Sequence, residues 1–225
     1  MRAALVSAGY RCVTPDSIAH GASTIPQLSE RYKLSERTAD VLAVADAVGA
    51  DQFAFVGYSM GAWIGMGLLA ESSQRVPFCL LAGWDPLRGA HLFTKTTDPK
   101  LRNREFMDLA TALLALRPGA VPETAECLQG MARCYEQLFA PLPSLELLSV
   151  GAAAATPAIA VFCGNRDPYF DNAKDAAHRL TAQFATCEGD HLTTFNHPHF
   201  TQQALRWIER AWPVPERARA VRKMS

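Results

Sequence analysis

Short apolar runs alternate with segments of helical period along most of this chain, and that alternation restricts the fold more than any other feature. Gln52–Val56, Val76–Ala82, Ala158–Cys163 and Phe184–Cys187 read as strands. Most of their side chains are apolar, as expected of strands covered on both faces. Ser35–Val48, Ala62–Ala70, Phe170–Ala182 and Phe200–Ala211 read as helices. In the first of these, Val41, Leu42, Val44, Ala45 and Val48 are spaced helically, Ser35 is the candidate cap and Gly49 the stop. Ala62–Ala70 is small and apolar nearly all round, which predicts a buried helix. A further β-rich run, Tyr10–Thr14, follows Gly9, is closed by Pro15-Asp16 and is also read as a strand. Strands separated by helices form a mostly parallel sheet with helices on both faces, an α/β fold.

Between about residues 86 and 150 the rhythm stops. Helices are expected near Asn103–Leu116 and Pro122–Phe139, with no convincing strand. The expected organisation is therefore a core made of 1–85 and 151–225, with 86–150 as a helical cap or lid inserted between its two parts. A chain of 225 residues suits this, since about 70% of the surface of the unfolded chain would be buried on folding.

Composition removes several classes of function. Hydrophobic residues make up 49% and charged residues 20%, which excludes a disordered chain. Lys and Arg total 22 against 22 Asp and Glu, so the basic excess of a general nucleic-acid binder is missing. The tail Arg217–Lys223 is locally basic and reads as a solvated terminus. Cys12, Cys79, Cys127, Cys134, Cys163 and Cys187 show no CxxC spacing and read as reduced side chains, most of them buried. No apolar run reaches the ~18 residues of a membrane span. The longest, Leu147–Cys163, is interrupted by Ser149, Thr156 and Pro157. The start, M-R-A-A-L-V-S-A-G, has too short an apolar stretch for a signal peptide and feeds into a strand pattern. A cytoplasmic protein is expected, with no membrane or nucleic-acid partner and with oligomeric state unreadable.

The chemistry is carried by Phe55-Val56-Gly57-Tyr58-Ser59-Met60-Gly61-Ala62, a G-x-S-x-G pattern directly after a predicted strand and before a predicted helix. A serine on so sharp a turn sits in strained backbone, and Gly57 and Gly61 meet the expected need for small neighbours two residues away. The turn lifts the Ser59 hydroxyl out of the sheet. The helix that follows aims free amides, including that of Met60, at a developing oxyanion.

With these residues the chain resembles the α/β-hydrolase family, in which the nucleophile is followed by an acid and then a histidine. Val161-Phe162-Cys163-Gly164-Asn165-Arg166-Asp167 matches the strand, glycine and acid of that pattern, and Glu188-Gly189-Asp190-His191-Leu192 its histidine loop. Asp16-Ser17-Ile18-Ala19-His20-Gly21-Ala22-Ser23 resembles the family's D-x-x-G-H-G-x-S loop, with Ala19 in place of a glycine. The resemblance runs from about residue 5 to residue 212 and is weakest in the cap. It implies catalytic roles for Ser59, Asp167 and His191, with Met60 as an oxyanion donor and no metal or organic cofactor. A serine hydroxyl needs a base to take its proton, and an acid must hold that base in one tautomer. The implied reaction is hydrolysis of an ester or related acyl bond in a small, fairly apolar metabolite. A serine at position 59 argues against the aspartate-nucleophile members, the dehalogenases and epoxide hydrolases. Two alternatives stay open: a catalytically impaired relative that binds a small molecule or partner, and a C–C bond hydrolase or acyltransferase using the same triad.

Other residues have plainer readings. Asp171 rivals Asp167 as the acid but is expected to cap the next helix. His197 and His199 resemble an HxH metal pair but lack acidic or cysteine company, and read as surface residues. His20 braces a loop; His91 and His178 carry no motif. Cys127, Cys134 and Trp63 read as packing. Against the family pattern the chain opens inside a helix, Met1–Ala8, and then Gly9-Tyr10-Arg11. The family's first three strands and its second oxyanion donor have no counterpart, so the domain is expected to be truncated at its N-terminus, with upstream coding sequence supplying them.

Overall fold

A computed structural model describes residues 1–90, 99–115, 124–143 and 157–213. The elements, in chain order, are α1 (Arg2–Ser7), α2 (Leu34–Ala47), β1 (Ala54–Tyr58), α3 (Met60–Ser72), β2 (Phe78–Ala82), α4 (Pro99–Ala115), α5 (Ala125–Gln137), β3 (Ala158–Gly164), α6 (Phe170–Arg179), β4 (Gln183–Cys187) and α7 (Pro198–Ala211). The four strands form one parallel sheet in the order β1-β2-β3-β4, with Tyr58 opposite Ala82 and Ala82 opposite Phe162.

The two-residue period of the strands divides the core in two. Phe78, Leu80 and Ala82 of β2, with Ala160 and Phe162 of β3, face Phe200, Ala204, Trp207 and Ile208 of α7 and Met1 and Leu5 of α1. Cys79 and Leu81 point the other way, into a cluster with Trp63, Met66 and Leu68 of α3. Val161 and Cys163 pack on Tyr169 and on Ala173 and Ala177 of α6. All five residues of β2 are buried, so helices cover both faces and the alternation in the sequence is explained.

Several boundaries move from their expected places, each for a local reason. Tyr10–Thr14 is irregular and, among the described residues, pairs with no strand. Strand propensity describes how a side chain fits a pleated surface; it does not supply a partner. β1 starts two residues late and runs through Gly57 and Tyr58, because the ladder with Leu81 and Ala82 continues past the glycine. β2 likewise begins at Phe78 rather than Val76. Lys33, not Ser35, caps α2, without a side-chain hydrogen bond. α6 ends at Arg179 because Thr181 turns left-handed at φ 52°. α7 begins earlier than expected, with Pro198 in its first turn and the His197 side chain accepting from the His199 amide.

Among the described residues of 86–150 there are two helices, α4 and α5, and no strand. α5 presses on the loop before α2. A Cβ on Gly130 would lie 2.7 Å from the Ala19 Cβ, and the Cys127 thiol donates to the Ala19 carbonyl at 3.2 Å. Ala19, which stands where the resemblance has a glycine, is fully buried at φ 58°. The tail Arg217–Lys223, His91, Leu147–Thr156, Leu116 and Pro122 lie outside the described residues. No described helix is long and apolar enough to cross a membrane.

Candidate active site

Three loops at the C-terminal ends of β1, β3 and β4 converge on one point. Ser59 ends the first: its amide donates to the Ala82 carbonyl at 2.8 Å, so the ladder runs to the serine itself. Its backbone then turns sharply, at φ 53° and ψ −114°, and α3 starts at Met60. A side chain in that conformation is strained, and such strain is kept where a fold holds the residue from both sides. Here the strand holds one side, and Ala62 and Trp63 hold the other by donating to the Ser59 carbonyl at 2.9 and 3.2 Å.

The two glycines of the turn are not equivalent. A Cβ on Gly57 would sit 2.2 Å from the Gly61 carbonyl oxygen and 2.7 Å from the Ala62 nitrogen. Strand and helix meet there backbone to backbone, and only glycine fits. A Cβ on Gly61 would meet nothing within 4 Å among the described residues. The expectation that both glycines are small for steric reasons is thus corrected for Gly61. Its main chain makes the close approach, while its missing side chain would point into open space.

Asp167 lies on the loop after β3, with its amide bonded back to Gly164 at 3.1 Å. His191 lies on the loop after β4. The two loops are stitched together: Asn165 and Arg166 donate to the carbonyls of Cys187 and Gly189, both at 2.9 Å. Gly164 permits this approach, since a Cβ there would lie 2.3 Å from the Gly189 oxygen. Asp190 shapes the histidine turn by accepting from the amides of Leu192 at 3.0 Å and Thr193 at 2.8 Å. Those bonds, the Thr193 amide first, hold its carboxyl below the usual carboxylate range.

The result is a hydrogen-bonded chain. His191 Nδ1 is 2.8 Å from Asp167 Oδ2, and His191 Nε2 is 2.9 Å from Ser59 Oγ. A carboxylate only accepts, so Nδ1 carries the proton and donates, leaving Nε2 to accept from the serine hydroxyl. The Asp167 side chain is wholly buried and that of His191 is 19% exposed. The second Asp167 oxygen accepts from the Tyr169 amide at 3.0 Å. Asp167 therefore shapes its own turn, and Asp171, expected as the cap, lies in the first turn of α6 instead. The Met60 amide, first in α3, belongs to the four that a helix cannot satisfy internally.

Neighbours that sequence reasoning did not single out complete the site. The Tyr58 hydroxyl donates to the His191 carbonyl at 2.6 Å. Nothing in the pattern marks Tyr58, because its position in G-x-S-x-G is the unspecified one. Leu192 and Phe195, on the histidine loop, are exposed apolar side chains. The other candidates fall elsewhere. His20 Nδ1 is 2.9 Å from the Ile18 oxygen, within its own loop. His197 and His199 are half-buried rather than on the surface, engaged at the start of α7. His178 lies in the last turn of α6. Trp63, Cys127 and Cys134 are buried in the core. A cavity of about 310 Å³ lies apart from the chain of three, between Pro15–Thr24, α2 and Ile64.

Comparison with known proteins bears on this arrangement. Over 59 residues, 26% of this chain and 18% of the relative, the chain is 39% identical to epoxide hydrolase A of Mycobacterium tuberculosis, and so spans only a small part of that enzyme's length. The fold resembles that of an enol-lactonase from Burkholderia xenovorans LB400 (TM-score 0.66, 20% identity, 86% of this chain and 78% of that one). It also resembles a probable hydrolytic enzyme from Pseudomonas aeruginosa PAO1 (TM-score 0.67, 16% identity, 84% and 73%). The sequence model of the alpha/beta hydrolase family matches residues 2–215. With that match across nearly its whole length, the chain belongs to the alpha/beta hydrolase family.

Proposed function

We propose that this protein is a serine hydrolase that cleaves an ester or related acyl bond of a small, fairly apolar metabolite through an acyl-enzyme. The observation that carries the reading is the chain from Ser59 Oγ through His191 to Asp167, with links of 2.9 and 2.8 Å.

In the first half-reaction Ser59 Oγ attacks the carbonyl carbon while its proton passes to His191 Nε2. The carbonyl electron pair moves onto oxygen, and the Met60 amide donates to that oxyanion. The buried Asp167 carboxylate stabilises the imidazolium and keeps the ring in place. The oxyanion then collapses, the bond to the leaving oxygen breaks, and His191 returns the proton to the departing alcohol. In the second half a water gives a proton to His191 and adds to the acyl carbon. Collapse releases the acid and restores the Ser59 hydroxyl. One water is consumed and one acyl bond broken, with no oxidant or reductant needed.

One feature supports an apolar substrate. Leu192 and Phe195, on the loop that carries His191, present apolar surface to solvent. We read α4 and α5 as the described helices of the cap expected over 86–150. The test is turnover of short-chain p-nitrophenyl esters. Wild-type protein should release p-nitrophenol, and Ser59→Ala should fall to background. Equal turnover by both proteins would overturn the reading.

A further inference from the structure

We propose that Tyr58 is a positioning residue for His191, holding the backbone of the base through its hydroxyl just as Asp167 holds the ring. The inference rests on the serine-hydrolase reading, and it assigns a role to the residue that the elbow pattern leaves unspecified.

The hydroxyl donates to the His191 carbonyl at 2.6 Å, a shorter contact than the 2.9 Å between His191 Nε2 and Ser59 Oγ. The tyrosine ring lies 5.5 Å from the imidazole, centroid to centroid, tilted by 49°. It is held there on two further sides, edge-on to Phe195 at 5.3 Å and to Phe200 at 5.7 Å. On a fourth side the chain makes room for it. Gly83 sits at φ 58°, and a Cβ there would lie 2.7 Å from the Tyr58 ring. The phenol is a dependable donor, because burial first and the Asp167 charge second push its pKa well above the usual phenol range.

The connectivity gives these contacts their consequence. Tyr58 is the last residue of β1, paired with Ala82, and is bonded directly to the nucleophile. One strand end therefore carries the attacking oxygen and the brace of the base that must deprotonate it. A shift of β1 moves both together, so the gap between Ser59 Oγ and Nε2 is conserved. Without the hydroxyl, the His191 carbonyl loses this brace, in a turn whose Asp190, Leu192 and Thr193 are exposed to solvent.

The test compares wild-type protein with Tyr58→Phe, which keeps the ring and removes one hydrogen bond. Rates of p-nitrophenyl ester turnover are expressed per site titrated with a fluorophosphonate, so that unfolded protein is not counted. The loss of one hydrogen bond that orients the base should lower kcat about five- to tenfold. KM should stay within about twofold, since the substrate is not touched. The far-downfield proton resonance expected of His191 Nδ1–H in the wild type should broaden or vanish in the variant. A purely structural role would lower the melting temperature and move neither kcat per site nor that resonance, and this result overturns the proposal. Should Tyr58→Phe fail to fold, Tyr58→His, which keeps a ring and an N–H donor, is compared with Tyr58→Leu. Recovery in the first over the second is expected, and equal rates overturn the proposal. Wild-type protein that labels nowhere, or at a serine other than Ser59, overturns the hydrolase reading and the role of Tyr58 with it.

Discussion

Replacing each elbow glycine by alanine separates two residues that the G-x-S-x-G pattern treats alike. In Gly57→Ala the new Cβ would lie 2.2 Å from the Gly61 oxygen, 2.3 Å from the Gly61 carbonyl carbon and 2.7 Å from the Ala62 nitrogen. Ordinary contact needs about 3.5 Å, so strand and helix must separate by on the order of 1 Å. All three atoms are backbone, and no side chain can swing aside. The cost should reach the upper end of overpacking, about 3 kcal/mol. For a chain of this length that is a melting temperature lower by roughly 6–12 °C. The same displacement moves Ser59 away from His191, and a misplacement of about 1 Å can cost on the order of 100-fold in rate. Gly61→Ala meets nothing within 4 Å and lies in the first turn of α3. There alanine should be neutral or stabilising by up to about 1 kcal/mol, a shift of a few degrees at most. Calorimetry or circular dichroism melts of both variants, with ester turnover per titrated site, decide the matter. Equal damage by the two substitutions, or a Gly57→Ala protein as stable and active as the wild type, would refute the reasoning.

Other outcomes follow from the same geometry. Asp167→Asn should leave the fold intact and lower kcat by about 10⁴, because the amide favours the wrong tautomer of His191. Asp171→Asn should change kcat little, and the reverse order would mean that the acid is misassigned. Asp190 has a depressed folded-state pKa, so its contribution to stability is present above the unfolded value of about 3.9 and is lost as pH falls through the lower folded value. The gap in melting temperature between wild-type protein and Asp190→Ala should therefore be open near neutral pH and close in acid; a constant gap would contradict this.

What was legible in the sequence was whatever depends on local pattern. The buried strands announced themselves because both faces are covered, so Phe78–Ala82 and Ala158–Gly164 are apolar without alternation. The position of Ser59 was legible because a strand, a glycine-flanked serine and a small-residue helix succeed one another directly in the chain. What depends on partners was not. Tyr10–Thr14 has strand composition and, among the described residues, no strand beside it. The ladder through Gly57 and Tyr58 is set by β2, which the local sequence does not mention. The inequality of Gly57 and Gly61 is a matter of which atoms face which, and a spacing carries no such information. Tyr58 shows the same limit. Its contact with His191 joins positions far apart in the chain, and no short motif records it.

The central claim is that Ser59 is the nucleophile, and the most direct measurement is to find where a fluorophosphonate attaches. The native protein is incubated with the probe, digested, and the modified peptide located by mass spectrometry. One adduct is expected, on Ser59, formed rapidly in the wild type, absent in Ser59→Ala and slowed severely in Asp167→Asn. An adduct on another serine, or undiminished labelling of Ser59→Ala, would contradict it.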